Sequence, residues 1–394
     1  MNLFSESFDS LGVDPQLTAA LAKDGISAPF PIQALTIRDA LAGHDVCGKA
    51  QTGSGKTLAF GLPLLMRIPS TPSRHPAGLV LVPTRELAVQ VTEVLGPLGK
   101  VIDRRVGAVY GGADLEKQVK LLNQGLDIVV ATPGRLIDLS DRGAVTLEDV
   151  QMLVVDEADR MADMGFMPQV EWLLRKMTNR RQTLLFSATL DSSVDQLVRR
   201  YLNDPVSHEV MSETVTVEQM QHYFFKVHEM DKAKVAASIA QGAEKSLIFL
   251  RTKRGVDRLT AALKEAGVKA AAIHGDLPQN LRERGLSDFT SGKLQTLVAT
   301  DVAARGLDIE GVDVVVHYDP PEDQKAYLHR SGRTARAGDQ GVVVTLLLWD
   351  QELAVERLQR RVGLRLPIQE IFSNDPLLKN LVAQDSEPIA ASAE

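Results

Sequence analysis

Residues 50 to 57 read AQTGSGKT, a glycine-spaced stretch that ends in Gly55-Lys56-Thr57. The ending suits a phosphate-binding loop. Gly53 and Gly55 let successive backbone N–H groups turn toward a phosphate, Lys56 brings a point charge, and the Thr57 hydroxyl can hold Mg²⁺. The general pattern has glycine where this chain has Ala50. That first position only turns the chain out of its strand, and alanine serves there if φ is negative, because a Cβ penalises left-handed backbone alone. A second cluster is MLVVDEAD, residues 152 to 159. Its four apolar residues form a buried strand that delivers Asp156 at the carboxyl end, where open α/β sheets bind ligands. An aspartate so placed holds the Mg²⁺ that bridges the β- and γ-phosphates, and Glu157 next to it is placed to orient and deprotonate an attacking water. Together the two clusters spell ATP hydrolysis.

The elements needed to position them are legible. DVCGKA before the loop reads as a strand and LAFGLPLLM after it has helical apolar spacing. That context argues against a Gly/Ser-rich surface turn, and the pairing with MLVVDEAD argues against a solvated acidic turn. Short Val/Ile/Leu runs recur at Leu79, Asp127, Met152 and Thr183, alternating with helix-like segments, as in a parallel sheet covered on both faces. The alternation lapses over residues 203 to 220, which read as a linker into a new strand, and restarts with runs at Ser246, Ala270, Thr296, Val312 and Gly341. The expected fold is two tandem α/β domains, each a parallel sheet with helices on both faces. The expected boundaries are an N-terminal segment 1–36, a first domain 37–207, a linker 208–217, a second domain 218–370 and an acidic, disordered tail 371–394.

Composition sets the outer bounds. At 394 residues the chain exceeds one compact core, and 44% hydrophobic with 24% charged residues is ordinary for a soluble globular protein. The opening MNLFSESFDS lacks the basic start and apolar core of a signal peptide, no apolar run is long enough to span a membrane, and a cytoplasmic location is expected. A single cysteine, Cys47, excludes an intramolecular disulfide and a cysteine zinc cluster; inside the first strand it reads as a buried, inert thiol. The net charge of −7 argues mildly against a nucleic-acid partner, but the last 24 residues alone carry four acids against one lysine, so a local basic track remains open.

Asp156-Glu157-Ala158-Asp159 spells the signature of the DEAD-box RNA helicases, and the chain resembles that family from Phe8 to about residue 370. The family's own loop, A-x-T-G-S-G-K-T, is matched from Ala50 to Thr57, so the alanine is a family variant. The resemblance implies tandem RecA-like domains and nucleotide contacts from Ala50, Gln51, Thr52, Gly53, Ser54, Gly55, Lys56 and Thr57. GISAPFPIQ looks like the family's Q motif, which implies that Gln33 reads adenine and that Phe8, the aromatic upstream, stacks near the base. PTRELAVQ, the pair Gly111-Gly112 and TPGRL resemble RNA-gripping motifs, implicating Thr84, Arg85, Thr132 and Arg135. SAT, from Ser187 through Ala188 to Thr189, resembles the motif that couples the ATP site to RNA. In the second domain the matches implicate Gln279, Arg282 and Thr300 in RNA binding, Gly306 and Asp308 in nucleotide contact, His329 in coupling, and Arg333 and Arg336 as arginine fingers.

The finger assignment has some physical support, because a domain with no phosphate loop suits the role of donating guanidinium to a neighbour's site. Taken alone, HRSGRTAR also reads as a solvated basic helix. Four positions depart from the family pattern: Ile26 where an aromatic is usual, Phe30 for threonine, and Ser331 and Ala335 for isoleucine and glycine. The implied activity is an ATP-dependent RNA helicase with ATP and Mg²⁺ as cofactors and RNA held by sequence-independent backbone contacts. A protein partner for targeting, no membrane association and a monomeric state are expected.

Overall fold

The Val/Ile/Leu runs fold as strands whose neighbours are all parallel. In the computed structural model, which describes residues 6–50, 54–69, 75–190, 192–210, 220–301, 309, 311–334 and 341–382, the chain divides into two units, residues 1–212 and 213–394. The first carries β1 (Val46–Lys49), β2 (Gly78–Leu81), β3 (Val106–Val109), β4 (Ile128–Ala131), β5 (Met152–Val155), β6 (Gln182–Ser187) and β7 (Val206–Glu209). Their order in the sheet is β3-β4-β2-β5-β6-β1-β7. Its helices are α1 (Pro15–Lys23), α2 (Pro31–Ala42), α3 (Lys56–Arg67), α4 (Arg85–Val101), α5 (Leu115–Asn123), α6 (Pro133–Asp141), α7 (Ala158–Asp163), α8 (Met167–Lys176) and α9 (Ser192–Tyr201).

Strands β2, β4 and β5 are buried along their whole length because helices cover both faces, and each strand alternates its side chains between two cores. Val80, Val130, Val154 and Phe186 pack with α2, α3 and α4 on one face. Leu79, Val129, Leu153 and Leu185 pack with α6, α8 and α9 on the other. Each such fully buried side chain contributes roughly 1.5–3 kcal/mol.

The second unit repeats the plan with β8 (Met220–Lys226), β9 (Ser246–Leu250), β10 (Ala270–Ile273), β11 (Thr296–Thr300), β12 (Val314–His317), β13 (Gly341–Leu347) and β14 (Ile368–Glu370). The order β10-β11-β9-β12-β13-β8-β14 is the first sheet's order with seven added to every label. Helices α10 (Lys232–Gln241), α11 (Lys253–Glu265), α12 (Gln279–Thr290), α13 (Gln324–Ser331), α14 (Glu352–Arg361) and α15 (Leu377–Asn380) accompany it. Among the described residues no helix is long and apolar enough to cross a membrane.

The structure corrects three organisational expectations. Residues 208 and 209, expected in the linker, belong to β7, which pairs with β1 as the sheet's edge; its half-exposed VSHE lacks an apolar run because only one side is covered. Residues 211–217 of that linker lie outside the described residues. The boundary expected at 36/37 falls inside α2, whose Ile32 and Ile37 share the first core with Phe8, Leu11 and Leu17. The stretch from 371, expected as a loose tail, begins with core: Ile371, Leu378 and Leu381 are buried against α10 and its neighbours. Residues 383–394 lie outside the described residues.

Strand beginnings are pinned by carboxylates that the hydrophobic pattern does not reveal. Asp45, buried just before β1, accepts from Thr183 N and Asn203 N, both at 2.6 Å. Asp313, just before β12, accepts from Glu244 N and Lys245 N at 2.8 Å. Removing a buried acceptor strands its donors, at about 1–3 kcal/mol each. Asp45→Ala is therefore expected to lower the stability of the first unit by about 2–4 kcal/mol, measured as a shifted urea midpoint at unchanged slope.

Candidate functional site

In a parallel sheet every carboxyl end opens on one side, so the order of strands fixes the order of the loops that follow them. From one edge of the first sheet, these are Gly111-Gly112 after β3, Thr132 and Arg135 after β4, and Thr84 and Arg85 after β2. Asp156 to Asp159 after β5, Ser187 to Thr189 at β6, and the phosphate loop after β1 come next. The residues expected to grip RNA are thus contiguous, those expected to hold ATP are contiguous, and the two groups meet between β2 and β5.

The ATP side begins at Ala50. It is not among the residues with left-handed backbone, so its Cβ carries no strain, and its N–H donates to Ser187 O at 3.0 Å. Gln51, Thr52 and Gly53 lie outside the described residues, while Ser54 and Thr57 are half-buried. Gly55 caps α3 with φ +81°, and a Cβ there would collide with the Gln33 amide nitrogen, so both backbone and packing demand glycine. Lys56 is buried, and its ammonium donates to Ala50 O at 3.1 Å. The Gln33 amide donates to Gly55 O and accepts from Phe30 N, each at 2.8 Å, which ties the start of α2 to the phosphate loop.

One reading of the upstream segment changes. Phe8 is 1% exposed in the core and offers no face to a base; it anchors the N-terminal segment instead. Phe30, in the threonine's place, has no side-chain acceptor for the N-cap of α2 and stands 57% exposed beside Gly55. Cys47 is buried in β1, and burial pushes its thiol up to about 11, an inert group.

At the end of β5, Asp156 and Glu157 are 3% and 4% exposed. Burial pushes the Asp156 carboxyl up to about 6; the Lys56 charge opposes this and the neighbouring Glu157 charge adds to it. Glu157 adopts left-handed backbone at φ +51°, a conformation costing roughly 1–2 kcal/mol in a residue with a side chain. Its Oε2 accepts from the Arg160 guanidinium at 2.6 Å, a buried pair one turn apart on α7. Asp159 N donates to Ser187 Oγ at 3.1 Å, Ser187 Oγ donates to Thr189 O at 2.7 Å, and Thr189 Oγ1 donates to Asp159 at 3.4 Å, with Ala188 half-buried between them. The acidic strand end and the β6 end are therefore one hydrogen-bonded unit.

On the RNA side Thr84 and Thr132 stand at the N-caps of α4 and α6, the Thr84 hydroxyl accepting from Leu87 N at 3.2 Å. Arg135 donates to Ala113 O at 3.2 Å. Gly112 has φ +83°, and a Cβ there would collide with the Arg85 guanidinium. Helix N-termini, two arginines and a bare glycine loop make a surface suited to phosphate oxygens.

In the second unit Gln279 donates to Glu283 at 2.9 Å, and Arg282, Thr300 and Arg333 are buried, with His329 half-buried. HRSGRTAR is no solvated helix over its described part. Arg330 sits in a fork with both Asp301 oxygens at 2.6 Å, donates to Asp319 O at 2.8 Å and lies over the Phe249 ring. Tyr327 Oη bonds His222 Nδ1 at 2.7 Å, fixing α13 to β8. Ser331 is buried; Gly306, Asp308, Ala335 and Arg336 lie outside the described residues. Sequence reasoning missed Arg160, Asp301 and Arg330. The spacing of Arg160 three residues past Glu157 was the available signal.

The chain matches the family model described as DEAD/DEAH box helicase over residues 30–197 and that of the helicase conserved C-terminal domain over 226–338. It is 44% identical over 343 residues to a DEAD-box ATP-dependent RNA helicase CshA of Geobacillus kaustophilus, covering 86% of this chain and 73% of that protein. Its likeness to the CshA of Streptococcus pneumoniae is 46% over 328 residues, 83% of this chain and 62% of the relative, so it spans between about three fifths and three quarters of these proteins. Among solved structures it resembles Saccharomyces cerevisiae Dbp5 bound to RNA and ADP–BeF3, with a TM-score of 0.81, 30% identity and coverage of 96% of this chain and 99% of the other.

The buried Asp156 makes a prediction about stability. Its folded pKa of about 6 lies above the ordinary aspartate value of 3.8, so the folded state binds the proton more tightly, and ionisation costs stability that is lost progressively above pH 3.8 and in full above about 6. Asp156→Asn is expected to raise the melting temperature at pH 7.5, with the gain shrinking as pH falls through about 6. Calorimetry at pH 7.5 and 5 checks this.

Proposed function

The chain belongs to the DEAD/DEAH box helicase family, and from that premise we propose that it is an ATP-dependent RNA helicase that separates short duplexes locally or remodels RNA–protein complexes. The observation that carries the reading is that buried Asp156 and Glu157 after β5 and buried Lys56 after β1 flank the end of β6, whose Ser187 is bonded to Asp159, with the Lys56 charge acting on Asp156.

The nucleotide's phosphates are held at the N-terminus of α3, where backbone N–H groups and Lys56 face negative charge. The half-buried Thr57 hydroxyl and the Asp156 carboxylate are hard oxygen donors of the kind that hold Mg²⁺. The ion, when bound, neutralises charge on the β- and γ-phosphates. Glu157 orients a water whose oxygen bonds the γ-phosphorus as the bond to the β-bridging oxygen breaks. ADP and inorganic phosphate leave, and the water's proton passes to the Glu157 carboxylate. Arg333 and Arg336 are the arginines we assign to the charge on the transferred group, and Gly306 and Asp308 to the nucleotide. Gln33 is the residue we assign to adenine: among the described residues its amide bonds Gly55 O and Phe30 N, which leaves one N–H and one lone pair, though at 1% exposure it reaches a base only if the neighbouring Phe30 side chain moves aside.

RNA lies along Thr84, Arg85, Gly111, Gly112, Thr132 and Arg135 by its backbone, with Gln279, Arg282 and Thr300 as the second unit's share. Ser187, Ala188, Thr189 and His329 transmit its presence to the ATP site. A cytoplasmic, monomeric protein directed to its RNA by a protein partner completes the proposal.

Shifting an enzyme between two states from 1:99 to 99:1 takes about 5.5 kcal/mol of differential binding. A base-pair step is worth about 1.4 kcal/mol, so one ATP-driven shift offsets roughly four steps before the remaining pairs must dissociate unaided. Unwinding rates at fixed ATP should fall steeply as RNA duplexes lengthen from about ten to about forty base pairs, and Lys56→Ala should unwind none of them. Rates nearly independent of length would point to a translocating motor, and unwinding by the Lys56 variant would sink the ATP-driven reading.

A further inference from the structure

Arg160 stands in none of the motif assignments made from the sequence, yet it is the residue in closest ionic contact with Glu157. Its guanidinium donates to Glu157 Oε2 at 2.6 Å, and the side chains are 9% and 5% exposed, so water does not screen the pair. Arg160 also lowers the proton affinity of Asp156 from nearby, as Lys56 does. Two adjacent carboxylates are thus flanked by two cations, Lys56 from the phosphate loop and Arg160 from α7. The contact depends on the left-handed backbone of Glu157, which caps α7 at φ +51°. Glu157 O accepts from Met161 N at 3.0 Å and Glu157 N donates to Asp156 Oδ1 at 2.9 Å, so the backbone on both sides of the strained residue is tied. With Oε2 held by Arg160, Oε1 accepts no hydrogen bond among the described residues and is the oxygen left for a water.

We infer that Arg160 is a positioning residue for ATP hydrolysis: it fixes the Glu157 carboxylate so that one oxygen faces the attacking water, and it balances the charge of the acidic pair. This rests on the reading of Glu157 as the residue that orients water. Arginine suits the task because its rigid guanidinium fixes direction, which a lysine ammonium on a flexible stem does less well.

The test is a double-mutant cycle on the full chain, with ATP hydrolysis measured in single turnover and at steady state in the presence of RNA. Arg160→Ala should lower kcat by about 10- to 100-fold, the cost of a misdirected catalytic group, while KM for ATP changes by less than about threefold. Arg160→Lys, which keeps the charge and is the variant safer for folding, should fall between wild type and Arg160→Ala. In a Glu157→Gln background, Arg160→Ala should bring no further loss, because the residue through which it acts is already disabled. An equal fold-loss in both backgrounds, or an Arg160→Lys enzyme indistinguishable from wild type in kcat, would overturn the inference. Wild-type turnover by Glu157→Gln would instead overturn the reading of Glu157 on which it rests.

Discussion

Two carboxylates held out of water at the end of one strand are the constraint around which the first unit is organised. Asp156 and Glu157 repel each other and are both poorly solvated, a combination that burial tolerates only with cations close by. Lys56 and Arg160 supply them, and each is tied in turn: the ammonium to Ala50 O, the guanidinium to Glu157 itself. Such a site is costly to stability and strained at Glu157. It persists because the strands beneath it are pinned by apolar packing on both faces.

The same sheet order used twice explains how one architecture serves different ends. Parallel strands bring six loops to one side of the first sheet, and their order separates the loops proposed for RNA from those proposed for the nucleotide while leaving β2 and β5 as neighbours. The Asp159–Ser187–Thr189 network ties the end of β6 to the end of β5, and the bond from Ala50 N to Ser187 O ties it to the start of the phosphate loop. The second unit keeps the sheet and invests its buried charge differently, in the Arg330–Asp301 fork that fixes the segment carrying Arg333.

Much of this was legible in the sequence, and what was not has physical reasons. Strands buried on both faces, such as β2, β4 and β5, announce themselves as unbroken Val/Leu runs, with Asp156 at the end of β5, and the glycines and Lys56 are placed after β1 by spacing alone. Edge strands β3 and β7 did not, because a strand with one covered side needs no apolar run, and VSHE reads as loop. The C-terminal Ile371, Leu378 and Leu381 are spaced too irregularly to signal a core that they complete only by packing on α10. Partnerships across distance were the least readable. Nothing in the spacing couples Asp45 to Thr183 and Asn203, or Asp301 to Arg330. Phe8 matched a motif position, but its burial is a property of the folded core.

The buried acidic pair is proposed to hydrolyse ATP under the control of RNA bound at the loops alongside. The most direct measurement is steady-state phosphate release by the unmodified chain at saturating ATP, titrated with single-stranded RNA. Turnover is expected to be slow without RNA and to rise and saturate as RNA is added. Turnover equally fast with and without RNA would contradict it.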